Sequence, residues 1–216
     1  MRNFSFLLLA LAFATSLAHA SPSPATNAAT SPSTVLLVGD SLSSAHRIAT
    51  EAGWVNLLRQ RVGQTTATPP SIVNASRGGK TLADALKGLP ELIAAHHPRL
   101  IILELGANDA ILGASRQTLE HDMTQLIDLA KASGAKVALL GFEIPPQLDK
   151  GHHADMLKQV YVQVTQAEHV ALLPSLMAGI SDKPALLLDD GVHPTAAAQP
   201  RMLDNAWPTL RPLLID

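Results

Sequence analysis

The sequence predicts an α/β domain in which a five-stranded parallel sheet lies between two layers of helices. Two observations carry this. From Thr34 onward, five short apolar runs alternate with four longer amphipathic segments and a fifth after the last run, the pattern of a parallel sheet built from strand–helix–strand units. Two of the runs, Leu100–Leu105 and Val137–Leu140, are almost continuously apolar, as strands covered on both faces must be.

The elements follow in order. Strands are expected at Val35–Gly39, Ser71–Ala75, Leu100–Leu105, Lys136–Phe142 and Val170–Pro174, and helices over Ser44–Val62, Thr81–His96, Ser115–Ser133 and Ala154–Glu168. A last segment runs from Thr195 to about Leu210. Thr81-Leu-Ala-Asp84 resembles a capping box with Asp in place of Glu. Gly134 stands where a helix C-terminus favours glycine, and Pro98 stops the element before it. Crossovers in such sheets are right-handed, and ligand sites lie beyond the strand carboxyl ends where the strand order reverses. In a flavodoxin-like order 2-1-3-4-5, the loops starting at Gly39, Ser76 and Gly106 lie side by side, so the site is sought there.

The 216 residues are not all expected to fold. Arg2, the apolar run Phe6–Ala14 and the small-x-small pattern Ala18-His-Ala20 form a signal peptide, residues 1–20, cut after Ala20. The run is too short to span a bilayer, which takes about 20 residues. Residues 21–33, rich in Ser, Pro, Ala and Thr, make a flexible leader, and 34–216 form one domain. A periplasmic or secreted chain with no stable membrane span after cleavage is expected. Loss of Arg2 moves the formal charge from −2 to about −3, so no basic surface points to nucleic acid. The 3% aromatic content argues against a base-stacking platform. The absence of cysteine excludes disulfides, a thiol nucleophile and thiolate metal sites. Stability then rests on an apolar core, which a 47% hydrophobic composition can supply.

Ser41 sits on the turn between the first strand and the following segment, where its hydroxyl is exposed near free N–H groups. The same position suits a helix-capping serine. After the second strand, Gly78 and Gly79 allow close backbone approach to a ligand; after the third, Asn108 offers a neutral amide donor. The N–H groups of Ser41 and Gly79 and the Asn108 amide can together form an oxyanion hole. Gly78-Gly-Lys-Thr81 lacks the first glycine of a phosphate loop and follows the wrong strand.

A serine nucleophile needs a base. His46 is placed in the first turn of a helix, with no carboxylate to orient it; His169 lies just before a strand, and His96, His97 and His121 face solvent. His152 and His153 fit a surface turn. His193 differs, because Asp190 lies three residues earlier across a glycine. That loop can bring the carboxylate to one imidazole nitrogen and leave the other for Ser41. Asp190 and His193 also fit plain turn and capping roles.

Gly39-Asp-Ser-Leu-Ser43, Gly79, Gly106-Ala-Asn108 and Asp190-Gly-Val-His193 resemble, in order, the four blocks of the SGNH (GDSL-type) hydrolases, most closely a bacterial periplasmic branch with thioesterase, lysophospholipase and arylesterase activities. The resemblance implies a flavodoxin-like fold and metal-independent hydrolysis without a cofactor. It assigns Ser41 as nucleophile, Gly79 and Asn108 as oxyanion donors, and Asp190 and His193 as the rest of a triad. Asp40, Asp109 and Asp189 belong to the signature as structural residues. Arg77-Gly78 before Gly79, and Ala107 in place of a frequent glycine, depart from it.

For the acyl group, the loops carrying Ile111 and Leu112 and Ile144 and Pro145 are expected to line the rim, though ordinary packing beneath a turn explains them equally. Their apolar character favours fatty acyl or aryl groups over sugars. The expected substrate is a small ester or lipid, with aryl esters, short-to-medium acyl esters, lysophospholipids and acyl thioesters in scope, hydrolysed by a monomer. A carbohydrate O-acetylesterase and a catalytically inactive binding module are the rival readings.

Overall fold

A computed structural model describes Met1 and residues 33–145, 148–149, 151 and 153–215. The expected leader therefore lies outside the described residues, apart from Met1 and Ser33. The strands are β1 (Thr34–Gly39), β2 (Ser71–Asn74), β3 (Leu100–Glu104), β4 (Lys136–Leu140) and β5 (Ala171–Leu173). All neighbours pair in parallel, in the order β2-β1-β3-β4-β5, as the alternation of runs predicts.

The helices are α1 (Trp54–Thr65), α2 (Leu82–His96), α3 (Ala107–Ile111), α4 (Arg116–Ala132), α5 (Ala154–Ala167) and α6 (Gln199–Leu214). Helices α1 and α6 pack on each other, as do α2 with α4 and α4 with α5. The central strands supply the middle of the core: Val35–Val38 and Leu100–Leu103 are fully buried. Thr81 and Asp84 form the anticipated capping box at the start of α2.

Two expectations are corrected. The helix expected from Ser44 begins only at Trp54; Ser41–Arg47 is a run of turns, followed by a 3-10 turn at Thr50–Ala52. Ala45 and Arg47 adopt left-handed backbone, with φ of 58° each, which a continuing α-helix forbids. The segment after β3, expected as a loop, opens with the five-residue helix α3.

Candidate active site

The turn after β1 is anchored from beneath. The Asp40 N–H and the Ser43 hydroxyl both donate to one Glu104 carboxylate oxygen, at 3.3 and 2.8 Å. Asn74 Nδ2 donates to the Ser43 carbonyl at 2.8 Å, and the Leu42 N–H to Asp40 Oδ1 at 3.0 Å. Gly39 is required here, because a Cβ would lie 2.9 Å from both Glu104 Oε2 and Ser76 Oγ. The turn thus leaves Ser41 facing outward on a fixed base.

The loop between β5 and α6 meets it from the far end of the chain. An isolated bridge joins Leu187 to Pro194, the Leu188 N–H donates to the His193 carbonyl at 2.7 Å, and Thr195 N–H to Leu186 at 2.8 Å. This narrow loop brings His193 Nε2 to 3.0 Å from Ser41 Oγ. Asp190 Oδ2 lies 2.9 Å from His193 Nδ1, while Oδ1 accepts the N–H groups of Val192 and His193 at 2.9 Å each. Burial pushes the Asp190 carboxyl up, but the His193 and Val192 N–H groups and the imidazole outweigh it and hold it well below the usual carboxylate range. Asp190 stays ionised and available to orient His193.

Asn108, on α3, donates through Nδ2 to Asp40 Oδ2 at 2.9 Å and to the Lys80 carbonyl at 3.1 Å. Its amide is thus held beside the Ser41 turn. Gly79 has φ +70°, and its neighbour Gly78 places a would-be Cβ 4.0 Å from Ser41 Cβ. Asp109 accepts the Leu82 N–H at 3.1 Å with each oxygen, tying α3 to the start of α2. Asp189 pairs with Arg47 at 2.7 Å.

Ser41 and His193 open on a cavity of about 220 Å³ lined also by Leu42, Ala107, Asn108, Ile111, Phe142, Leu148 and Val192. Of the rim residues expected from sequence, Ile111 lines it. Leu112 does not line it and is 77% exposed. Ile144 and Pro145 line a separate hollow with Glu143, Ala154, Lys158 and Ser181. A larger hollow among the described residues runs along α5 past Lys158, Val162 and Gln166; no serine, histidine or cysteine lines it, whereas Ser41 and His193 line the smaller cavity. Phe142 and Leu148, each from the segment after β4, take the place expected of Ile144 and Pro145. That segment carries no regular secondary structure after β4 ends at Leu140, so no periodicity in the sequence tells which of its apolar side chains reach the cavity.

Three residues escape sequence reading. Glu104 is fully buried on β3, where burial and the adjacent Asp40 charge push its carboxyl well above the usual range. Its signal in the sequence is a lone acid in an apolar strand. Arg47 reaches Asp189 and, at 3.4 Å, Asp190 Oδ2. His46 stacks on His193, with ring centroids 4.3 Å apart at a 42° tilt. Read as a helical residue without a carboxylate nearby, it instead sits on the turn beside Asp190. Among the described residues, His46, Asp190 and His193 form a group whose ligand atoms lie within 4.8 Å of one another.

Such an arrangement can deprotonate a hydroxyl and stabilise the imidazolium that results. A family model described as GDSL-like lipase/acylhydrolase matches residues 37–200. The chain is 40% identical over 181 residues to esterase TesA of Pseudomonas aeruginosa, covering 84% of this chain and 89% of the relative. It is 34% identical over 181 residues to thioesterase 1/protease 1/lysophospholipase L1 of Escherichia coli K12, covering 84% and 85%. A crystal structure of TesA superposes with a TM-score of 0.80 at 40% identity, covering 84% of this chain and 99% of that one.

Proposed function

Because the chain belongs to the GDSL-like lipase/acylhydrolase family and is a carboxylic ester hydrolase, we propose that it works through an acyl-enzyme on Ser41, with His193 as base and Asp190 as its orienting acid. The observation that carries this is the unbroken chain from Ser41 Oγ to His193 Nε2 and from His193 Nδ1 to Asp190 Oδ2, at 3.0 and 2.9 Å.

His193 takes the Ser41 proton as the oxygen attacks the ester carbonyl. The carbonyl oxygen becomes an oxyanion, received by the N–H groups of Ser41 and Gly79 and the Asn108 amide. His193 then protonates the leaving alcohol or thiol, and water repeats the sequence on the acyl-enzyme. Asn108 has its amide on Asp40 and Lys80 before substrate arrives, so those bonds position the donor that the oxyanion engages.

Aryl esters, short-to-medium acyl esters, lysophospholipids and acyl thioesters are the substrate classes. The cavity's apolar walls support acyl groups over sugars. Residues 1–20 act as an export leader removed after Ala20, which makes the enzyme periplasmic or secreted; the mass of the exported chain checks the cut. No helix among the described residues is long and apolar enough to cross a membrane.

Ser41→Ala is expected to lower kcat on a chromogenic ester by at least about 10³-fold while leaving the thermal transition within a few degrees. Wild-type turnover in that variant rules out the assignment. A panel of acyl lengths run beside acetylated sugars tests the substrate class, and activity confined to acetyl groups favours the carbohydrate esterase.

A further inference from the structure

We propose that His46, Asp190 and His193 form an inhibitory site for a divalent transition metal such as Zn²⁺, which stops hydrolysis by occupying the base. The inference rests on the reading of His193 as that base. The three side chains come from two segments far apart in sequence, the turn after β1 and the loop before α6, and they face one another across the site. Their ligand atoms lie within 4.8 Å of each other. Two imidazoles and a carboxylate with room for water form a donor set suited to Zn²⁺. Rotation of the His46 side chain, which is reachable from solvent, closes the remaining distance to a metal shell.

The charges permit it. Asp189 and Asp190 face the site from the terminal loop, and Arg47 is the cation beside them, 2.7 Å from Asp189 and 3.4 Å from Asp190. With neutral imidazoles the group carries net negative charge before an ion arrives.

The consequence for turnover follows from the imidazole itself. Neutral His193 has one nitrogen lone pair. A metal that takes it leaves none to receive the Ser41 proton, whichever ring nitrogen is used. Unlike His193 and Asp190, His46 is not needed for the acyl transfer, so the metal site and the chemistry separate at this residue.

The test is esterase activity at pH 7.5 against rising Zn²⁺, with chelator reversal, for wild type and His46→Phe. The phenylalanine keeps an aromatic ring against His193 but offers no ligand. Wild type is expected to lose most of its activity at on the order of 100 µM Zn²⁺, and His46→Phe to keep wild-type metal-free turnover while needing roughly tenfold or more Zn²⁺ for the same loss. Equal sensitivity of the two proteins, or a wild type untouched at on the order of 1 mM Zn²⁺, overturns the proposal. Calorimetric titration of Zn²⁺ into Ser41→Ala, with and without His46→Phe, reads the site independently of turnover. Loss of binding with His46→Phe supports the site even if no ester is hydrolysed, and unchanged binding rejects it even if hydrolysis proceeds as proposed.

Discussion

Glu104 shows how much one buried side chain can organise. Its carboxyl lies beneath the nucleophile turn, where it receives the Asp40 N–H and the Ser43 hydroxyl. An ionised carboxylate so enclosed, next to Asp40, is costly, and both burial and that neighbour favour the protonated form. A neutral acid and an amide have similar shape and both accept hydrogen bonds. Glu104→Gln is therefore expected to stay within about 1 kcal/mol of wild type at pH 7 and to retain turnover. Glu104→Ala leaves a cavity and two unpaired donors, and is expected to cost about 3 kcal/mol and to lower kcat/KM, because Ser41 loses its fixed base. Urea unfolding and ester hydrolysis measure the two effects. The same residue marks a boundary of sequence reading. The proposed nucleophile, base and acid can be nominated from residue type and spacing, since the chemistry prescribes them, and the structure brings Ser41, His193 and Asp190 within hydrogen-bond distance in turn. A buried acid that braces them is prescribed by packing, and packing is not visible until β3 lies beside β1.

At the scale of elements, the five strands, their order and the capping box of α2 are legible because periodicity and punctuation are local. The entry to α1 is not. Ser44–Val62 has helical periodicity, yet Ala45 and Arg47 turn left-handed so that Arg47 can meet Asp189 and His46 can stack on His193. These contacts are made with a loop more than 140 residues away, which no local window contains. The end of β4 offers a sharper test. A Cβ on Gly141 would stand 2.4 Å from the Pro174 carbonyl and 3.1 Å from the Tyr161 ring, while its N–H and carbonyl bond Leu173 and Leu176, each at 2.8 Å. Backbone cannot retreat there without breaking the β4–β5 junction. Gly141→Ala is expected to destabilise the protein by at least about 2 kcal/mol, read as a lower urea midpoint with an unchanged slope.

The whole molecule carries two opposed sets of carboxyl groups. Burial pushes Asp40, Glu104 and Asp109 up, so these bind protons more tightly folded than unfolded. Their contribution is full below the unfolded carboxyl pKa of about 4 and is lost as pH rises through the folded values. Asp190 and Asp189 are held low, Asp190 by N–H groups and His193 against its burial, and Asp189 by Arg47. Their contribution is present above about pH 4 and lost as pH falls through the folded values. The melting temperature is therefore expected to peak in mildly acidic solution, near pH 5, and to decline toward pH 8. In Glu104→Gln the alkaline decline becomes shallower, because one of the raised groups no longer titrates. Thermal melts of both proteins across pH 4–9 check this, and identical slopes on the alkaline side refute the account.

Ser41 and His193 are 152 positions apart, and the segment that follows His193 is itself needed to seat the loop. Gln199 accepts the Trp54 N–H at 2.9 Å, and Asp204 on α6 holds Arg61 on α1 at 2.8 Å. A chain still emerging from its ribosome therefore has Ser41, the proposed nucleophile, long before it has His193, the proposed base. Under the proposed mechanism, hydrolysis then begins only once the last helix has docked, and ester turnover doubles as a report that the entire fold is closed.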